Sequence, residues 1–248
     1  MDQYLEPVFS NFRIILKHPK YSENIGSVAR AMCNMGFSDL ALIEPRQLDL
    51  EKVKKTATHE SADIVNAITI YNTVDDAISD CNYVAGTTAR KGRQRRAEMY
   101  TPGEASENLI SLSAENRIAI LFGPEDRGLQ NEDLFCCDTL INIPTFAFSS
   151  INLAQSVMIL CYELFNTGQN PPPRKLPRLA EKNELATMYT NLDKVLLQTG
   201  YTNPENPSHT KSKFRQFFSR TGLLSREVSI INGLMQKILF NEKISHKE

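Results

Sequence analysis

Short apolar runs and helix-period segments alternate along the first two thirds of the chain. Runs at Phe12–Lys17, Leu40–Ile43, Ile68–Tyr71, Tyr83–Thr87, Ile118–Phe122 and Leu140–Ile143 predict buried strands. Between them, Ser22–Gly36 places Ile25, Val28, Ala29 and Met32 at i, i+3, i+4, i+7, and Ser150–Phe165 repeats that spacing with Ala154, Val157, Met158 and Cys161. Both segments are expected to be helices with one buried face. Ser22 and Ser150 stand where N-caps belong, and Gly36 where a helix stops. The alternation predicts an α/β domain on a mostly parallel sheet.

The pattern changes at Thr167–Pro177, which holds four prolines and no apolar period, and reads as an extended tether. The expected organisation is a front domain over 1–168, a proline-rich linker over 169–178 and a helical domain over 179–248. In that last domain Ala180–Leu197 and Ser225–Phe240 read as helices, the second with Val228, Ile231, Met235 and Ile238 on one face, and a shorter helix is expected around Lys211–Arg220.

Charge is segregated along the same boundary. Residues 1–170 carry 15 Lys and Arg against 22 Asp and Glu, net −7, whereas residues 171–248 carry 13 against 7, net +6. A basic tail suits a polyanionic partner, nucleic acid first, and equally suits a solvated helix surface. No apolar stretch approaches the ~20 residues of a membrane span, and the start lacks the layout of an export signal. The expectation is a cytoplasmic protein with no membrane partner. Five cysteines, widely scattered except for the adjacent Cys136 and Cys137 and without a C-x-x-C pair, read as buried thiols.

Absences exclude several chemistries. No two of the eleven glycines are separated by a single residue, so no G-x-G-x-x-G turn exists. Gly123 and Gly128 have P-loop spacing, but Leu129 and Gln130 stand where Lys and Ser or Thr are required. The four histidines are far apart, which leaves a His-based metal or triad site without support.

Three blocks remain. In Ser22–Met32 the apolar stripe turns inward while Arg30 projects to the other side, free to face a ligand or simply exposed. In Leu121–Leu129 the chain leaves a strand through Gly123, where a missing Cβ lets backbone approach a ligand, and then presents Glu125. In Ile143–Val157 another strand ends and a helix opens with Ser150 and Asn152 beside its free N–H groups, either a polar nest or an ordinary capped helix.

In this order the blocks, N-I-G-x-V-A-R-A-M with N-M-G at Asn24–Gly36, F-G-P-E with G-L at Phe122–Leu129, and I-P with S-x-N-L-A-x-x-V at Ile143–Val157, resemble the three motifs of the SPOUT class of RNA methyltransferases, in the SpoU/TrmH branch that methylates ribose 2′-hydroxyls. Leu176–Glu242, including Phe214–Phe217 and Arg226–Val228, is similar to the helical extension of the TrmJ type, which acts on the tRNA anticodon loop at position 32.

The resemblance implies a parallel sheet whose C-terminal segment forms a trefoil knot, a small all-helical C-terminal domain, S-adenosylmethionine as cofactor, a homodimer, and tRNA as substrate. The alternatives are the same reaction on rRNA and a non-catalytic RNA-binding protein. It implies cofactor contacts at Thr87, Thr88, Ala89, Gly123, Ile143, Ser150 and Ile151, and catalytic roles for Arg30, Asn24, Glu125, Ser150 and Asn152. Arg30 is expected to clamp a phosphate and stabilise a developing alkoxide rather than act as a base, because its pKa exceeds ~12. Asn24 and Asn152 are expected to orient the ribose or Arg30, and Glu125 to anchor Arg30 or a helix end. The cations of Arg90, Lys91, Arg93, Arg95 and Arg96, beside the Thr87–Ala89 strand end, read as an RNA phosphate contact.

Overall fold

The computed structural model describes residues 9–89, 98–146, 150–172, 176–202, 210, 213–215, 217–218 and 222–245. Arg90, Lys91, Arg93, Arg95 and Arg96 lie outside the described residues. The chain divides into two compact units, one ending at Pro177 and the other beginning at Arg178.

The first unit is a seven-stranded sheet in which every pairing is parallel. In chain order its elements are β1 (Phe12–Lys17), α1 (Ser22–Asn34), β2 (Asp39–Ile43), α2 (Leu50–Ala57), α3 (Ala62–Asn66), β3 (Thr69–Tyr71), α4 (Val74–Ile78), β4 (Tyr83–Thr87), β5 (Met99–Tyr100), α5 (Pro102–Ser113), β6 (Ile118–Phe122), α6 (Asn131–Leu134), β7 (Thr139–Ile141) and α7 (Leu153–Gln169). The strand order is β3-β2-β1-β6-β4-β7-β5. β6, paired on both sides, is buried along its whole length, which is why it reads as an unbroken apolar run rather than an alternating one.

One sheet face packs Ile15, Ile43, Val84, Leu121 and Leu140 together with Ala77 and Ile78 of α4. α1 packs on α2 and α7, and α7 on α5. The helix register of α7 differs from the sequence expectation. Its buried seam is Leu153, Val157, Leu160, Cys161 and Leu164, while Ala154 and Met158 sit half-buried beside a surface groove.

The expected caps are corrected as well. Ser22 is the first helical residue, preceded by Tyr21 at the cap, and its hydroxyl instead donates to Gln47 O and accepts from Asp49 N. Asn152, not Ser150, caps α7. The tether expected from Thr167 begins later, because α7 runs through Gln169 and buries Gly168. Leu176 N donates to Ser111 O, and Asn116 Nδ2 to Pro177 O, so the end of this segment is bound to the first unit.

At the N-terminal edge of the sheet the buried Arg13 donates to Asp39, Asp80 and Ala77 O, and Arg117 donates to the same two carboxylates. Two guanidiniums and two carboxylates thus satisfy one another and tie β1, β2 and β6 at the end away from the motif loops.

The second unit contains α8 (Lys182–Gln198) and α9 (Ser225–Ser245), around a core of Ala180, Met188, Val195, Val228 and Met235. The described residues 213–215 and 217–218 of the expected short helix are helical. No helix among the described residues is long and apolar enough to cross a membrane.

Candidate active site

β6, β4 and β7 are neighbours in the sheet, so the three loops that leave their C-terminal ends converge, as ligand-binding loops do in open parallel sheets. Between them lies a cleft lined by Thr87 at the end of β4 with Thr88 and Ala89 beyond it, by Phe122 at the end of β6 with Gly123, Pro124, Glu125 and Gly128 beyond it, and by Ile141, Ile143, Ile151, Leu153 and Ser156 from β7 to α7. The loops are laced together. Thr88 N donates to Ile141 O at 2.9 Å, and Asn142 Nδ2 donates to Thr88 O at 2.8 Å.

Gly123 lines the cleft and also admits the chain's own backbone. A Cβ there would stand 2.2 Å from both Gly128 C and Leu129 N. The β6 exit loop folds back on itself there, and Gly128 N closes that fold on Pro124 O at 2.9 Å. Gly128 takes φ +65°, a conformation costly for residues with a side chain.

Glu125, Asn24 and Asn152 form a relay that joins the three sequence blocks. Glu125 Oε1 accepts from Asn24 Nδ2 at 2.6 Å and Oε2 from Lys20 N at 3.0 Å. Asn24 Oδ1 accepts from Asn152 Nδ2 at 3.3 Å, and Asn152 Oδ1 accepts from Ala154 N and Gln155 N at the start of α7. Of the two anchoring partners expected for Glu125, it holds the helix end and not Arg30.

Arg30 does not line the cleft. It is exposed on α1 and faces an open groove with Ser27, Ala31, Asn34, Ile151, Ala154, Gln155, Met158 and Ile159. Ile151 lines both spaces, so the groove adjoins the cleft. Ser150 is exposed and is absent from the cleft lining. Phe122, Pro124, Ile141, Leu153 and Ser156 line it without having been singled out from the sequence. For Ser156 the helical period was the available signal, since it lies one turn beyond Asn152 on α7.

The family model described as the SpoU rRNA Methylase family matches residues 11–162, which contain the whole cleft. The chain belongs to the SpoU methylase family. Residues 183–248 match a second model, the C-terminal domain of the tRNA methyltransferase TrmJ.

This SpoU methylase is 31% identical over 242 residues to a Pseudomonas aeruginosa protein named tRNA (cytidine/uridine/adenosine-2′-O-)-methyltransferase TrmJ, covering 92% of this chain and 93% of that one. It is 32% identical over 240 residues to the tRNA (cytidine/uridine-2′-O-)-methyltransferase TrmJ of Sodalis glossinidius, covering 94% and 93%. The crystal structure of TrmJ from Z. mobilis ZM4 superposes with a TM-score of 0.77 at 30% identity, covering 91% of this chain and 98% of that one.

Proposed function

We infer that this protein is an S-adenosylmethionine-dependent methyltransferase that modifies ribose 2′-hydroxyls of tRNA, with a pyrimidine at position 32 of the anticodon loop as its target. The observation that carries this reading is the end-to-end likeness to proteins named for that reaction, across both the cleft-bearing unit and the helical one. Its setting is cytoplasmic.

The cleft fits the cofactor. Phe122, Ile141, Ile143, Ile151 and Leu153 offer apolar surface to a base, as the walls of small-molecule sites do. The side-chain hydroxyls nearby are engaged within the protein, Thr87 Oγ1 with Leu121 O and Ser156 Oγ with Asn152 O, which supports recognition through backbone groups. Bound there, S-adenosylmethionine would supply a methyl group on a sulfonium, a leaving group that needs no acid from the protein.

The protein's share is then alignment. Glu125 has both carboxylate oxygens engaged and serves to position Asn24 and the start of α1. Arg30, at the groove beside the cleft, holds an RNA phosphate and stabilises charge developing on the ribose oxygen; its permanent cationic state suits that task and not proton removal. Accordingly, Arg30→Ala is expected to cut turnover at least a hundredfold and leave S-adenosylmethionine affinity within about twofold, by isothermal calorimetry beside a methyl-transfer assay. Unchanged turnover would remove Arg30 from the mechanism.

Two further family features belong to this reading. The insertion of β6 between β1 and β4 supports a C-terminal segment threaded as a trefoil knot. The half-buried Met158 and Ile159 and the exposed Tyr162 on α7 support a homodimer through that helix. The deciding experiment is transfer of labelled methyl to tRNA and, separately, to rRNA, with mass spectrometry locating the modified nucleotide. Label at position 32 is the expected result. Label at position 34, the position named for a structurally similar protein described by its 2-OH methylation of C/U34 on tRNA, would correct the position, and label in rRNA alone would replace the substrate.

A further inference from the structure

The second unit carries an aromatic and cationic surface that its own core does not consume. Tyr201 and Phe214 meet with ring centroids 6.1 Å apart, Phe217 and Phe218 at 5.3 Å, and Tyr189 and Phe218 at 6.4 Å. The Arg215 guanidinium carbon lies 5.1 Å from the centre of the Tyr189 ring. Phe214 precedes Phe217 and Phe218 by three and four residues, and all three are helical.

These residues divide into two sets. Phe218 and Tyr189 pack against the core of α8 and α9, whereas Tyr201 and Phe217 remain 67% and 63% exposed. From Thr210 to Arg226 the sequence has five Lys and Arg and no Asp or Glu. Large exposed rings beside a chain segment so rich in cations suit one occupant: a polyanion that also presents flat apolar faces. Unpaired nucleotides answer to both demands. A paired stem does not, because its bases are stacked on one another and hidden.

We propose that Tyr201, Phe217 and Arg215 form a stacking platform for unpaired bases of the RNA substrate. The platform rests on the tRNA reading above and adds to it a means of selecting a loop over a stem. Phe217 supplies a ring, Tyr201 supplies a second, and Arg215 supplies a planar cation already oriented by its contact with Tyr189.

The test uses the full chain, with binding of tRNA measured by fluorescence anisotropy for Phe217→Ala, Phe217→Leu, Phe217→Trp and Tyr201→Ala. Stacking predicts that Ala and Leu at Phe217 each weaken tRNA binding about tenfold, that Trp restores it, and that the salt dependence keeps its slope because no phosphate contact is lost. Tyr201→Ala is expected to behave like Phe217→Ala. Thermal melts and S-adenosylmethionine affinity should stay at the wild-type values, given the exposure of both rings. Leu binding as tightly as Phe would show an aliphatic contact and overturn the platform, as would Ala binding as tightly as wild type. Either result with a wild type that methylates tRNA refutes the platform alone; a wild type that transfers no methyl to tRNA refutes the tRNA reading on which it rests.

Discussion

Asn152 meets two demands through opposite ends of one amide: its oxygen caps α7, and its nitrogen reaches Asn24. The two ends can be separated. Asn152→Ala removes both, and loss of the cap alone costs about 1 kcal/mol, readable as a lower urea midpoint. Asn152→Asp keeps a good cap but has no N–H for Asn24, so stability is expected to recover while turnover stays low; recovery of both would show that the Asn24 link is dispensable. Buried thiols give a second residue-scale expectation. Burial pushes Cys81 and Cys161 from near 9 up to about 12. Each thiol therefore keeps its proton in the folded chain at pH values where the unfolded chain releases it. Their contribution is fully present below pH 9 and is lost as pH rises towards 12, at up to ~1.4 kcal/mol per pH unit for each thiol. Urea unfolding at pH 8 and pH 10 checks the sign, and equal stability at both would contradict it.

Among the elements, α1 shows how a helix can require a residue that propensity disfavours. Gly26 lies in its interior, where Ala is ordinarily better by roughly 1 kcal/mol. Here a Cβ would meet Val53 O and Thr56 Oγ1 at 2.1 Å. The carbonyl belongs to the α2 backbone and cannot rotate away, so Gly26→Ala is expected to destabilise by ~1–3 kcal/mol, measured by thermal or urea unfolding; a stabilised variant would mean α2 shifts freely. The glycine is visible in the sequence, but its reason is not, because α2 is brought to it only by tertiary packing. The same distinction runs through the fold. β1, β4 and β6 are legible to the residue, since a strand paired on both sides in a parallel sheet buries a run of consecutive residues at its centre. β5 escapes a sequence reading because Met99–Tyr100 has no pattern of its own and exists by pairing with β7. α5 is absent from the expected elements although Thr101-Pro102-Gly103-Glu104 spells its capping box. At the site, the three blocks single out Asn24, Glu125 and Asn152; that these side chains hydrogen-bond to one another depends on loop geometry that spacing does not encode.

At the scale of the molecule, the sheet, the cleft and the groove all lie in the first unit, and the end of that unit is fastened by Leu176 N to Ser111 O and Asn116 Nδ2 to Pro177 O. The second unit has its own core and, over residues 178–248, 11 Lys and Arg against 7 Asp and Glu, net +4. Cofactor and RNA recognition should therefore come apart when the chain is cut after Pro177. Every residue lining the cleft is retained, so S-adenosylmethionine affinity is expected to stay within about twofold. The acidic first unit, with 17 Lys and Arg against 22 Asp and Glu and net −5 over residues 1–177, repels phosphate at long range, and tRNA affinity is expected to fall at least tenfold. Its salt dependence should also flatten, because fewer counterions are released when fewer cations meet the backbone. Filter binding between 50 and 200 mM salt measures both quantities. A truncated chain that binds tRNA with the full affinity and the full slope would place recognition in the first unit and leave the basic surface of the second without a role in RNA binding.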